Sequence, residues 1–172
     1  RQKNKLLEPV KSWNSTDLMA TAGKIKAEYD ATPYDAKPSE ILVDIIGLGA
    51  GVYDRCKELG LPVRGVNVGE AAASRENCAR LRDELWFKGR EWFQDKACSM
   101  PQDDALIAEL TAPTYSFTST GKMVVESKAD MKKRGMRSPD LADAFLLTFA
   151  CGERRRERYR KPEPRRRSAW AA

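Results

Sequence analysis

Residues 41–60 read ILVDIIGLGAGVYDRCKELG, and this stretch decides the fold class. The continuous run of β-branched and aliphatic residues at 41–46 is typical of a strand that is buried on both faces. The glycines that follow predict a turn into a short helix over residues 52–59, which Gly60 ends. A second strand is predicted at 61–68, so strand, helix and strand form a right-handed βαβ unit.

Periodicity and turn residues extend this unit to a mixed α/β domain. The apolar face of its longest helix, which carries two tryptophans, is expected to lie in the core rather than to stack on bases. The other predicted elements are, in chain order, an edge strand or extended segment at 5–13, a helix capped near Asp17, a long helix at 76–96, a helix at 103–111, a hairpin at 114–127, a helical turn after Ser127 and a last helix from Leu141.

The charge of the chain is concentrated at its end. Residues 153–167 hold eight Arg and one Lys against three Glu, a surplus of six that equals the net charge of +6. We therefore expect a balanced domain over residues 1–152 and a basic, disordered tail over residues 153–172 that contacts a polyanion. Because the sequence begins with Arg rather than Met, we expect it to belong to a longer chain.

Several classes of site are excluded by residue type. The chain has no His, and its four Cys form no CxxC pair, which excludes a Cys/His zinc site and His-based nucleophilic catalysis. The cysteines are expected to be free thiols in a reducing cytoplasm. No apolar run reaches the length of a membrane span, so no membrane partner is expected.

The glycine cluster does not predict a nucleotide site. Val52 occupies the position of the third glycine of a dinucleotide-binding loop, and the carboxylate of Asp44 would repel a pyrophosphate. Close packing of a helix on a strand is the simpler role for these glycines.

Three acidic residues are the candidates for chemistry. Asp44 lies among apolar neighbours, so its charge needs a partner. Asp140 and Asp143 are three residues apart, which places both carboxylates on one helix face, where they repel each other unless a cation lies between them. Mg²⁺ or Mn²⁺ suits such oxygen ligands. As alternatives, Asp140 favours the positive end of its helix and Asp143 is an exposed helix position.

Three blocks of sequence, at 43–72, 76–92 and 105–150, occur in the order found in one family. In these blocks the chain resembles the nuclease domain of tailed-phage terminase large subunits, from about Lys5 to Ala150. The resemblance implies an RNase H-like mixed sheet flanked by helices. It also implies a metal-dependent endonuclease that cuts concatemeric double-stranded viral DNA in the cytoplasm of the bacterial host.

The resemblance further implies a ligand set. Asp44 would bind metal, with Asp140 as the first choice and Asp143 as the second for its partner, and these residues would hold two Mg²⁺ or Mn²⁺ ions roughly 4 Å apart. The family carries a further catalytic Asp on an initial strand and an ATPase domain upstream, and neither is in this sequence. We therefore expect this chain to cut DNA more weakly than a longer one.

Basic residues lie between the hairpin and the acidic pair. They bind DNA phosphates or form a solvated face, and they are Lys128, Lys132, Lys133, Arg134 and Arg137. The Arg-rich tail adds DNA affinity, docks on the portal protein or the small terminase subunit, or is a solvated end. Two other functions stay open at this point, a resolvase-like nuclease for branched DNA and a non-catalytic packaging module.

Overall fold

The computed structural model describes residues 1–14, 17–74 and 76–150. Within these ranges the chain forms six α-helices and two small sheets. The helices are α1 (Leu18–Ala31), α2 (Gly49–Glu58), α3 (Leu81–Gln94), α4 (Asp104–Thr111), α5 (Lys128–Lys133) and α6 (Asp140–Leu147), and the strands are β1 (Ile41–Asp44), β2 (Val63–Val66), β3 (Tyr115–Phe117) and β4 (Met123–Val125). Single turns of 3-10 helix lie at Tyr34–Ala36 and at Thr148–Ala150.

The βαβ unit predicted from the sequence is present. β1 and β2 pair in parallel, with Ile41 opposite Val63 and Asp44 opposite Val66, and α2 connects them. Side chains on successive strand residues point to opposite faces. Accordingly, Val43 packs with the core of α1 and α2, whereas Leu42 packs with the core of α3 and the end of α6. The pair of strands therefore lies between two layers of helices.

The predicted burial of the first strand on both faces is wrong. β1 is only half-buried and ends at Asp44, which is exposed. The reason lies in the pairing, because within the described part of the chain β1 pairs with β2 alone and its other edge is free. That free edge lies beside the groove in which the acidic residues are found.

A large core cluster joins α3, α4 and α6. Trp92, Leu106 and Phe145 are buried in it, and the ring of Trp92 makes edge-on contacts with Phe145 at 5.5 Å between centroids. Trp92 is therefore a core residue, as predicted. The long helix begins at Leu81 rather than at residue 76, because residues 71 and 80 form a backbone bridge that delays it.

Other predicted features are found with small changes. Asp17 caps α1, and Ser127 caps α5 with a hydrogen bond from the backbone N–H of Asp130. β3 and β4 form the predicted hairpin, whereas residues 5–13 form no strand, and Lys5 alone among them makes isolated bridges, to Gln2 and to Ser99. The prediction for the tail, residues 153–172, lies outside the described residues.

Three of the four cysteines lie in the described part of the chain. Cys56, Cys78 and Cys98 are free thiols, and Cys151 is outside the described ranges. Among the helices that the structure describes, none is long and apolar enough to cross a membrane.

The glycine cluster has the packing role that was predicted for it. Gly47 has a φ of +64°, which L side chains rarely adopt, and it turns the chain from β1 toward α2. A Cβ atom at Gly49 would overlap the backbone carbonyl of Asp44. The helix can therefore begin this close to the end of the strand only with glycine at position 49.

Replacing Gly49 by Ala is expected to destabilise the fold by about 1–3 kcal/mol, because the added methyl group has to displace backbone. The matched control is Gly23→Ala in the middle of α1, where an added Cβ meets nothing within 4 Å. That change is expected to stabilise by about 0.5–1 kcal/mol. Urea denaturation measures both, and equal effects of the two substitutions would contradict the close approach at Gly49.

Candidate metal centre

The start of α6 is held by an acid from a neighbouring helix. Glu109 of α4 accepts hydrogen bonds from the backbone N–H groups of Leu141 at 2.7 Å and Ala142 at 3.0 Å. These are orphan donors of the first helical turn, which a carboxylate satisfies well. Since Glu109 takes the capping role, the side chain of Asp140 is not needed for it.

The carboxylates of Asp140 and Asp143 instead converge on one cation. The ammonium of Lys128, in the first turn of α5, lies 2.9 Å from Oδ1 of Asp140 and 2.9 Å from Oδ2 of Asp143. Asp140 also accepts a hydrogen bond from the hydroxyl of Ser138 at 2.7 Å. The repulsion expected between two acids three residues apart is thus relieved by a positive charge between them.

The charges of this triad support one another. Burial acts to lower the pKa of Lys128, but its hydrogen bonds to Asp143 and Asp140 outweigh burial and raise that pKa. Burial acts to raise the pKa of Asp140, and the hydrogen bonds from Lys128 and Ser138 bring it below its ordinary value. The acid is therefore ionised and the lysine is charged at neutral pH.

The other carboxylate oxygen of Asp143, Oδ1, contacts two side chains of α3. The indole Nε1 of Trp86 donates a hydrogen bond to Oδ1 of Asp143 at 3.1 Å, and Nε of Arg82 lies 3.4 Å from the same oxygen. The sequence interpretation missed both residues as site residues and assigned Trp86 to the core. The only signal was their spacing, since residues four apart on a helix share a face.

Asp44 lines the same groove as the acid pair. We call the acidic groove the cavity of about 540 Å³ beside β1 whose polar lining includes Asp44, Arg82, Lys128, Asp140 and Asp143. Asp44 is at the end of β1, and its Oδ1 accepts a hydrogen bond from the backbone N–H of Ile46 at 3.1 Å. Among the described residues, no three acids or thiols are close enough to form a ready metal cluster. The structure therefore brings Asp140 and Asp143 together, with Asp44 on the groove but apart from them.

The donor set fits a hard divalent cation. Mg²⁺ keeps several of its waters and is commonly bound through one or two carboxylates together with phosphate oxygens of the substrate. Asp140 and Asp143 supply two carboxylates that already face a positive charge. Asp140 is largely exposed at 74%, whereas Asp143 is sheltered at 23%, so an ion at this pair would be open to substrate on the Asp140 side.

The five basic residues predicted to bind DNA are not equivalent. Lys128 faces the acid pair, Lys133 pairs with Asp130 at 2.7 Å, and Arg134 pairs with Glu126 at 2.6 Å. Lys132 and Arg137 are exposed and make no ion pair with any residue that the structure describes. These two are the ones whose charges are available to a phosphate backbone.

Arg134 has a structural role at the base of the hairpin. Glu126 accepts hydrogen bonds from its guanidinium and from the backbone N–H and hydroxyl of Thr114, and Arg134 also donates to the carbonyl of Ala112. The bonds from Arg134, together with those from Thr114, lower the pKa of Glu126 to about 2. This cluster joins α5 to the hairpin and to the end of α4.

Comparison with known proteins identifies the fold. No protein-family model and no curated protein sequence matches this chain. Among solved structures, a mutant nuclease domain of the large terminase subunit gp2 of bacterial virus Sf6, with manganese and β-thujaplicinol, is similar with a TM-score of 0.61 and 18% identity, over 78% of this chain and 71% of that one.

The large terminase nuclease from thermophilic phage G20c with bound cobalt is similar with a TM-score of 0.58 and 14% identity, over 81% of this chain and 64% of that one. The same nuclease with bound magnesium gives a TM-score of 0.53 at 15% identity, over 78% of this chain and 63% of that one. The chain thus has the mixed α/β, RNase H-like fold of phage terminase nuclease domains, which confirms the fold that the sequence resemblance implied.

The Glu126–Arg134 pair predicts a pH dependence of stability. Because the folded-state pKa of Glu126 is about 2 and its ordinary value is 4.5, the unfolded chain binds more protons between these values. Its contribution is therefore complete above about pH 5 and is lost as the pH falls toward 2. Glu126→Gln is expected to destabilise the protein at pH 7 and to have little effect near pH 2.

Urea denaturation of both proteins across this pH range measures the effect. The control is Glu58→Gln, which removes a surface ion pair with Arg55. Such exposed pairs contribute only about 0–1 kcal/mol. A destabilisation by Glu126→Gln that is as large near pH 2 as at pH 7 would contradict the lowered pKa.

Proposed function

We propose that this chain is the metal-dependent endonuclease domain of a phage DNA-packaging terminase, and that it hydrolyses phosphodiester bonds of concatemeric double-stranded viral DNA. The observation that carries the proposal is the convergence of Asp140 and Asp143 on one positive charge at the edge of a groove. The fold, shared with terminase nuclease domains, supports this assignment over other roles for an acidic pair.

The metal ligands in this proposal are Asp140 and Asp143, together with Asp44, which lines the same groove. Two Mg²⁺ or Mn²⁺ ions, when bound, activate water and stabilise the leaving oxygen during phosphodiester hydrolysis. The structures of the Sf6 and G20c nucleases with manganese, cobalt and magnesium support a divalent ion here. The acids that would hold the ions lie at the end of β1 and at the start of α6.

Lys128 lies between the two carboxylates and balances part of their negative charge. Its side chain is half-exposed, so it is free to turn outward toward a phosphate once the acids have another cation. Lys132 and Arg137 precede α6 in the sequence. They supply further positive charge for the DNA backbone. Contacts of this kind position DNA without reading its sequence, so sequence-tolerant cleavage is expected.

The free edge of β1 has a place in the proposal. It runs beside the acidic groove, whose apolar lining comes from Leu42, Leu85 and Leu147 in addition to the acids. A further strand paired with this edge would bring its own side chains to the groove. The ATPase domain of the same full-length chain is a proposed partner of this domain. The portal protein and the small terminase subunit are the proposed assembly partners.

One observation favours a second candidate, a DNA- or portal-binding packaging module without cleavage. Among residues 1–14, 17–74 and 76–150, no three acids form a metal cluster. Two close carboxylates bind a divalent ion more weakly than three, so binding without turnover is the alternative for this chain.

Cleavage of supercoiled plasmid in the presence of Mn²⁺ tests the two candidates. Partners outside the first coordination sphere are typically worth roughly 10–100-fold, so loss of a direct ligand in Asp143→Asn or Asp140→Asn is expected to lower cleavage by at least about 100-fold. The matched control is Asp104→Asn, which removes an exposed acid from the first turn of α4. Wild-type cleavage by the Asp143 variant would contradict the nuclease proposal, and no cleavage by the wild-type chain would favour the packaging module.

The salt dependence of DNA binding tests the basic residues. Each lost phosphate contact is expected to reduce the slope of log K against log salt by about 0.9. Lys132→Ala and Arg137→Ala should each show this loss, whereas Lys133→Ala, whose ammonium already pairs with Asp130, should change the slope little. Equal losses for all three variants would show that the ion pair within α5 does not withhold Lys133 from DNA.

A further inference from the structure

Asp143 is held from two sides, and its two oxygens have different partners. Oδ2 faces the ammonium of Lys128 at 2.9 Å. Oδ1 accepts the indole N–H of Trp86 at 3.1 Å and lies 3.4 Å from Nε of Arg82. The rotation of the carboxylate is therefore fixed, with one oxygen toward α3 and the other toward the cation.

The indole of Trp86, which donates this hydrogen bond, packs in turn against Arg82. The guanidinium of Arg82 lies over the ring of Trp86, 5.6 Å from its centroid. Arg82 also donates a hydrogen bond from Nη1 to the carbonyl of Glu126 at 3.1 Å. Glu126 belongs to the cluster that joins the hairpin to α5. The indole of Trp86 thus packs against the side chain of Arg82, which is itself hydrogen-bonded to the main chain at Glu126.

Burial of a tryptophan on α3 does not by itself produce such a bond. Trp92, on the same helix, is 8% exposed, and its indole nitrogen has no hydrogen-bond partner among the described residues. Trp86 is less buried, yet its nitrogen bonds to an acid that is 57 residues away in sequence. The bond is therefore a feature of the site and not a consequence of packing.

We propose that Trp86 is a positioning residue for the metal centre, whose indole N–H holds Asp143 with Oδ2 directed at the bound cation. The inference rests on the proposed function, because it concerns the same acid pair. Groups that orient metal ligands in this way commonly set the affinity of the site, since a ligand that rotates freely loses entropy when it binds.

The test replaces only the donor. Trp86→Phe keeps an aromatic ring beneath Arg82 and removes the N–H, and it is expected to weaken Mn²⁺ binding, measured by calorimetry, about 10-fold. Trp92→Phe is the matched control, because it makes the same change on the same helix at a nitrogen without a partner, and it should bind Mn²⁺ as the wild type does. Wild-type Mn²⁺ affinity in Trp86→Phe would overturn the inference.

A second measurement needs no variant of Trp86. In ¹H–¹⁵N NMR spectra of the wild-type chain, the indole resonance of Trp86 is expected to move on addition of Mg²⁺, and also in Asp143→Asn without any metal, while that of Trp92 stays in place. An unmoved Trp86 resonance in Asp143→Asn would overturn the inference even if Trp86→Phe fails to fold.

The outcomes separate this inference from the function on which it rests. If the wild-type chain binds neither Mn²⁺ nor Mg²⁺, both the proposed metal centre and the positioning role are overturned. If the ions bind and the binding is lost in Asp143→Asn but is unchanged in Trp86→Phe, the metal centre stands and the positioning role alone is overturned.

Discussion

The repulsion between Asp140 and Asp143 is the constraint around which the site is built. Two carboxylates one turn apart are unfavourable unless a positive charge lies between them. In this structure the ammonium of Lys128 takes that place, at 2.9 Å from each acid, and so joins the start of α5 to the start of α6. The remaining oxygen of Asp143 is tied to α3 through Trp86. One pair of acids thereby sets the relation of three helices at the end of the groove.

Other acids near the site differ from Asp140 and Asp143, because their carboxylates stabilise the main chain. Asp83 accepts backbone N–H groups of Arg80 and Val125, and Glu109 accepts two at the start of α6. Glu84 does the same for the loop before α3. These carboxylates satisfy orphan donors of the main chain. Among the residues that the structure describes, Asp140 and Asp143 accept hydrogen bonds only from side chains, and a side chain can move aside for a ligand. This contrast separates them from Asp83, Glu84 and Glu109, whose carboxylates bind the main chain.

Local rules were sufficient for much of the fold. Aliphatic runs and glycines predicted the βαβ unit, and the spacing of Asp140 and Asp143 predicted that they share a face and need a cation.

The errors arose where contacts between segments distant in sequence decide the structure. β1 is less buried than its sequence indicates because it has one strand neighbour among the described residues, and α3 starts late because a backbone bridge precedes it. Trp86 packs against the core as predicted, but its bond to Asp143 was missed, because no residue near it in sequence indicates an acid from α6. The basic residues looked alike until their partners were known, although the spacing of Asp130 and Lys133 could have identified one ion pair.

The central proposal is that the acid pair exchanges its lysine for a divalent metal ion. The most direct measurement is electron paramagnetic resonance of free Mn²⁺ during titration of the wild-type chain and of the double variant Asp140→Asn, Asp143→Asn. The account predicts that the wild-type chain removes Mn²⁺ from solution in a saturable manner and that the double variant removes far less. Equal concentrations of free Mn²⁺ with both proteins would contradict it.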